Sequence, residues 1–364
     1  MTTPTTHEAV ALLQRLIATP RTSRQENAAA DVLSAYLDSC HLGYQRQANN
    51  IWCTAPGFHA DRPTLLLNAH IDTVRPVAAW QRDPFTPTLE GSRLYGLGAN
   101  DDGASLVSLL QVFRQLAAKP QPYNLIFLAS AEEEVSGANG IARVLPLLPP
   151  IDVALVGEPT GMQPAVAEKG LMVLDITAHG KAGHAARNEG INAIYLAMQA
   201  IAWLRTYQFP LCSELLGPIK MTTTIIQAGT QHNVVPDTCT FTTDIRSNEC
   251  YSNQQIYDIV CQGLCSLSDN PDAFQVKARS FRLNSSRICL DHPLVRKAVA
   301  LGKQPFGSPT LSDQALMSFP SMKMGPGQSS RSHTADEFIE LAEIEDAIGT
   351  YLQMLDGLEI STNH

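Results

Sequence analysis

Thr64-Leu65-Leu66-Leu67-Asn68-Ala69-His70-Ile71-Asp72-Thr73 sets three consecutive leucines just ahead of a histidine and an aspartate two residues apart. A short apolar run bounded by polar residues reads as a buried strand of a parallel sheet. In such sheets the chemistry lies beyond the carboxyl ends of the strands. His70 and Asp72 therefore emerge at a site, and a period of two points them the same way. An imidazole and a carboxylate so placed suit a metal ligand and the group that orients it. Taken alone, the pair also reads as a capped strand end with a satisfied core histidine.

Outward from this strand the first half alternates helix and strand. Periodicity predicts helices over 7–18, 25–38, 103–117 and 137–145, and strands over 64–70, 124–131 and 151–157. That alternation predicts an α/β fold, a mostly parallel sheet flanked by helices. Near residue 170 the pattern changes. Strands are expected at 171–178, 221–228, 238–245 and 274–282, with helices at 191–206 and 253–266. Two helices with four strands suit a small α+β sandwich. Helices return at 293–302 and 341–355 without a comparable run of strands. The expected organisation is one α/β domain, 1–170 and 284–364, with 171–283 inserted.

Composition narrows the function. The 364 residues favour two domains, and 44% hydrophobic content permits a full core. A formal charge of −9, from 35 acidic and 26 basic residues, argues against nucleic acid. The eight cysteines form no CxxC pair, and their scatter points to reduced thiols in a cytoplasm. Met1 to Glu8 is polar and lacks the apolar region of a secretory leader. No apolar run approaches a membrane span.

Other strand ends carry more chemistry. Ala131-Glu132-Glu133-Glu134-Val135-Ser136-Gly137 places three adjacent carboxylates after a buried strand, costly unless a cation offsets their repulsion. Val156-Gly157-Glu158-Pro159-Thr160 adds another at the same sheet edge. Gly96-Leu97-Gly98-Ala99-Asn100-Asp101-Asp102-Gly103 is a glycine-rich turn whose aspartates would repel a phosphate and attract a metal. Ser332-His333-Thr334-Ala335-Asp336-Glu337 supplies a second histidine. Together they make a mixed nitrogen and oxygen donor set suited to zinc or a similar divalent ion.

In these blocks the chain resembles, along essentially its whole length, the co-catalytic dizinc deacylases and exopeptidases. That family includes acetylornithine deacetylase, succinyl-diaminopimelate desuccinylase, aminoacylase and the glutamate carboxypeptidases. The resemblance implies a zinc-exopeptidase-like fold, with the inserted sandwich as lid and dimerisation domain. It implies two divalent ions, zinc first, with cobalt or manganese as alternatives. His70, Asp101 and Glu158 would hold one ion, and Asp101, Glu134 and His333 the other. Asp72 would orient His70, and Glu133 would be the general base. In the inserted domain, Gly180-Lys181-Ala182-Gly183-His184-Ala185 matches a block whose histidine, here His184, stabilises the oxyanion, usually across a homodimer. Asn233 would position substrate. Arg246 would bind its carboxylate, the competing reading being an ion pair with Asp244.

The family commonly has Asp-x-Lys-Gly-Gly at the bridging aspartate, where this chain has Asp101-Asp102-Gly103-Ala104-Ser105. The missing lysine suggests altered substrate preference rather than loss of a ligand. The implied activity is hydrolysis of a small N-acyl amino acid, with N-acetyl- or N-succinyl-ornithine first, in arginine biosynthesis. Succinyl-diaminopimelate and small dipeptides are the alternatives. A catalytically silent metal-binding relative would be expected to lack the base or a ligand.

Overall fold

The computed structural model describes residues 3–187 and 189–360. Residues 1, 2, 188 and 361–364 lie outside them, and these include the start of the polar N-terminal stretch and both expected domain termini. The chain forms two compact units, Met1–Val166 with Arg287–Phe306 and Ser312–His364, and Ala167–Ser286 with Gly307–Leu311.

In the first unit Thr64–His70 is a strand with every residue buried. It pairs in parallel with Asn124–Ser130 and with Val153–Val156, and the latter in parallel with Ser321–Lys323. Asn50–Thr54 runs antiparallel along Asn124–Ser130. These are consecutive neighbours in a mixed nine-stranded sheet with a parallel centre. Covered on both faces, its strands are continuous apolar runs instead of alternating ones. One face packs Trp52, Leu66, Ile126, Leu128 and Val156 on Ile141 and Val144. On the other, helix Ala104–Ala117 brings Phe113 against Phe127, ring centroids 6.1 Å apart. Burying each such side chain contributes about 1.5–3 kcal/mol.

Two expectations fail locally. The helix expected over 137–145 shrinks to Ile141–Val144. Residues 131–140 instead wrap the Glu132 carboxylate, which accepts from the Asn139 backbone N–H at 3.3 Å and its Nδ2 at 3.1 Å. A Cβ on Gly137 would lie 1.9 Å from Glu132 Oε2, so only glycine fits there. The C-terminal segment also carries strands, Phe306–Ser308, Ser321–Lys323 and Phe338–Glu340, each too short for a period of two to show.

The second unit is an antiparallel sheet in the order Lys220–Ala228, Thr238–Ser247, Gly170–His179, Phe274–Ala278. Gly170–His179 alternates buried and half-buried residues. Its buried face, Met172, Leu174, Ile176 and Ala178, packs on Ala193, Ala197, Ala200 and Leu204 of one helix and Ile256, Val260 and Leu264 of another. This is a two-layer α+β sandwich. Among the described residues no helix is long and apolar enough to cross a membrane.

Candidate metal centre

The parallel strands of the first unit end together, and their carboxyl ends carry His70, Glu133, Glu134 and Glu158. Asp101 comes from the turn before helix Ala104–Ala117, and His333 from a C-terminal loop. Donor atoms of His70, Asp101 and Glu134 lie within 4.8 Å of one another, and so do those of His70, Glu133 and Glu158. Asp101 is central. Its Oδ1 lies 3.1 Å from His70 Nε2 and its Oδ2 3.7 Å from His333 Nε2, so its two oxygens face two histidines. His333 Nε2 is also 2.9 Å from Glu134 Oε2.

The donor set fits divalent ions. His70 Nδ1 lies 3.0 Å from the carbonyl of Asp72, which only accepts, so Nδ1 carries a proton; Nε2, 3.1 Å from Asp101 Oδ1, is the nitrogen that would offer its lone pair to an ion once the ring is neutral. Asp72 is 3.4 Å from Nδ1 through its carboxylate, so the orienting contact comes mainly from its main chain. The Asp72 carboxylate accepts from the backbone N–H groups of Glu133 at 3.0 Å and Glu134 at 3.2 Å, and from Ser23 Oγ at 2.7 Å. Of the three adjacent glutamates, Glu133 and Glu134 face the centre. Glu132 turns into its own loop.

The charges here are under strain. Burial raises Glu133 well above the usual carboxylate range, and repulsion from Glu158, Asp313 and Glu134 adds to it. Burial does the same to Glu158, partly countered by Lys323. For His70 burial disfavours the cation, but hydrogen bonds to Asp101 and Asp72 outweigh it and the net shift is upward. The hydrogen bond to Glu134 lifts His333 to about 9. Divalent cations would relieve this crowding, and Asp101 faces both histidines that could bind them.

Several supporting residues escaped sequence reasoning. Glu337 is buried; its Oε1 accepts from the N–H groups of Asn100 at 2.8 Å and Asp101 at 2.9 Å, and its Oε2 from Gly98 at 3.1 Å. Asn100 ties the same turn to the C-terminal loop, donating to Gln328 O at 3.1 Å and accepting from Gln328 N–H at 2.9 Å. Asp313, buried beside Ser130 and Asn68, is raised by burial to about 6. Glu337 and Asn100 stand inside blocks already singled out, and adjacency could have flagged them. Asp313 carries no such signal. Arg331 of the loop Gly325–Arg331 is engaged elsewhere, 2.6 Å from Glu343 and stacked over Phe338.

The remaining candidates belong to the second unit. His184 is exposed on the short strand Gly183–His184, and its Nδ1 accepts the Ala186 N–H at 3.1 Å. The Asn233 carbonyl accepts from Ala185 N–H at 3.0 Å. Arg246 forms a two-pronged pair with Asp244, 2.9 Å and 3.3 Å, the competing reading named above.

Fold and centre together describe a metallohydrolase. Residues 66–357 match Peptidase family M20/M25/M40, and the chain belongs to that family. An acetylornithine deacetylase of Proteus mirabilis is 28% identical over 363 residues, covering 92% of this chain and 93% of the relative. An acetylornithine deacetylase of Klebsiella pneumoniae is 29% identical over 292 residues, 76% of this chain and 75% of the relative. Among solved structures, aminopeptidase PepT from Bacillus cereus superposes with a TM-score of 0.76 at 18% identity, over 96% of this chain and 98% of that one. A dinuclear metal-binding peptidase of family M20 from Bacillus subtilis gives a TM-score of 0.73 at 17% identity, over 96% and 97% of the two chains. At these identities the structures speak for the fold alone.

Proposed function

We propose that this metallohydrolase cleaves the amide bond of a small N-acyl amino acid, with N-acetyl- or N-succinyl-ornithine as substrate. The observation that carries the two-ion reading is Asp101 facing His70 with one oxygen and His333 with the other. The full-length likeness to acetylornithine deacetylases favours the ornithine substrate over the alternatives. In this reading the protein works in arginine biosynthesis, in the cytoplasm, where its eight free cysteines stay reduced.

His70, Asp101 and Glu158 would hold one ion, and Asp101, Glu134 and His333 the other, zinc being the first choice for this donor set. Such ions would supply Lewis acidity, making water more acidic and the amide carbonyl more electrophilic. Glu133 takes the proton from the attacking water and later delivers it to the departing nitrogen, leaving a carboxylate and a free amine. The Ala186 N–H occupies Nδ1 of His184, so the neutral ring carries its proton on Nε2, free to donate to the developing oxyanion. Arg246 anchors the substrate carboxylate only by exchanging Asp244 for it. Asn233 helps position the substrate.

The second unit acts as lid and dimerisation domain. Its edge strand Lys220–Ala228 leaves Ile225 and Ile226 about half exposed, and the helix Ala193–Thr206 exposes Tyr195 and Met198. A long edge strand with exposed apolar residues is a ready surface for a second copy.

The test is a hydrolysis panel with zinc-loaded protein. N-acetyl- and N-succinyl-ornithine, N-succinyl-diaminopimelate and small dipeptides are offered, and free amine is measured. The expected result is the highest kcat/KM on an N-acylornithine. A preference of tenfold or more for a dipeptide or for succinyl-diaminopimelate would overturn the substrate.

A further inference from the structure

Arg21 is a large side chain with only 2% of its surface exposed. Its guanidinium spans two segments that the sequence keeps far apart. Nη1 donates to the carbonyl of Ile71 at 2.7 Å, between His70 and Asp72. Nη2 donates to the carbonyl of Gly98 at 2.9 Å, in the turn that presents Asp101. The main chain joins in, with Thr73 N–H donating to Arg21 O at 3.0 Å. The charges acting on the guanidinium are the carboxylates of Glu337, Asp72, Asp102 and Asp101.

The same packing accounts for residue 103. A Cβ on Gly103 would meet Gly98 O at 2.4 Å, Leu13 Cδ1 at 2.5 Å and Arg21 Nη2 at 2.9 Å. The room for a side chain at 103 is filled, and part of what fills it is a cation.

We propose that Arg21 is the positioning residue of the metal centre, a buried guanidinium that locks the His70–Asp72 strand end to the Asp101 turn. This rests on the two-ion reading above. Arginine suits the task because its planar fork addresses two acceptors at once, whereas lysine keeps only the charge. Arg21 touches neither substrate nor the proposed ligand atoms; it acts through where His70 and Asp101 stand. A displacement of about 1 Å at reacting groups can cost on the order of 10²-fold in rate.

The test uses full-length protein stripped with chelator and reloaded with Co²⁺, whose visible absorption reports ligand geometry. Wild type and the variants Arg21→Lys and Arg21→Met are compared for bound metal, cobalt spectrum, apo-protein Tm, and kcat and KM on N-acetylornithine. Arg21→Lys is expected to bind both ions, show an altered cobalt spectrum, and lose about tenfold in kcat with little change in KM. Arg21→Met should lose about a hundredfold. A lower apo Tm with wild-type spectrum and kcat in Arg21→Lys is what a purely structural arginine gives, and it overturns the proposal. Should Arg21→Met fail to fold, Arg21→Lys alone decides. Wild-type protein that takes up no cobalt would sink the metal reading itself, a failure visible before any variant is made.

Discussion

The backbone N–H of Glu133 donates to Asp72 Oδ1 at 3.0 Å. One aspartate at the end of the first strand thus holds the loop at the end of the second, and in the proposed chemistry it holds the general base. Its second oxygen takes the Glu134 N–H at 3.2 Å and the Ser23 hydroxyl at 2.7 Å. Asp72→Asn keeps the size but turns one acceptor into a donor facing donors. We expect metal affinity to fall about 10–100-fold, the scale for losing a group that supports metal ligands. Calorimetric titration of chelator-treated protein checks this, and unchanged affinity would leave Asp72 without the supporting role.

Glu133→Gln removes the proposed proton acceptor while preserving shape. Metal content should stay at the wild-type value, and kcat should fall by at least about 10²-fold, the lower scale for losing a general base. Elemental analysis paired with steady-state rates reads both. Near-normal turnover at full metal loading would assign proton transfer to another group.

The buried acids set a pH dependence. Burial raises Asp313 from 3.8 to about 6, Asp102 from 3.8 to about 7 and Glu337 from 4.5 to about 8. A raised folded pKa stabilises below the unfolded value and is lost as pH rises through the folded one. The raised value of His333, about 9, acts in the same direction. Metal-free protein should therefore lose Tm steadily from about pH 4 to pH 9, the window between the unfolded and folded values of these groups. Protein loaded with zinc should lose less, because the ions offset the carboxylate charge. A metal-free Tm that is flat or rising over that range would contradict this.

How much was legible depended on which link of the chain carried the information. Leu65, Leu66 and Leu67 announce a buried strand because both sheet faces are covered, and the site residues follow because strand ends carry the chemistry. The 137–145 segment misled because Ile141 and Val144 keep an apolar spacing while Glu132 folds the loop around its own carboxylate. Ser321–Lys323 was invisible, since three residues show no period and its place is fixed by pairing with Val153–Val156 on one side and Ala165–Glu168 on the other. Arg21 gave no signal: its partners are two carbonyl groups, at Ile71 and Gly98, and any sequence supplies those. Gly103 was legible in the sequence, but not that Gly98 O, Leu13 and Arg21 crowd the place of its missing Cβ.

Assembly is testable at the edge strand. Ile225 and Ile226 are 50% and 52% exposed on Lys220–Ala228. A lysine there blunts an edge against pairing. Ile226→Lys should convert the expected dimer to a monomer by light scattering, with its own fold kept. If His184 works across that interface, activity falls with the dimer. A wild-type monomer with full activity would remove both the dimer and the shared histidine.

The central claim is that Asp101 stands between two metal ions. X-ray diffraction from zinc-soaked crystals, with anomalous difference maps at the zinc edge, tests it most directly. Two peaks are expected, roughly 3.5–4 Å apart, with Asp101 between them. His70 and Glu158 should lie about 2.0–2.2 Å from one, and Glu134 and His333 at the same range from the other. A single peak, or peaks away from these five side chains, would contradict it.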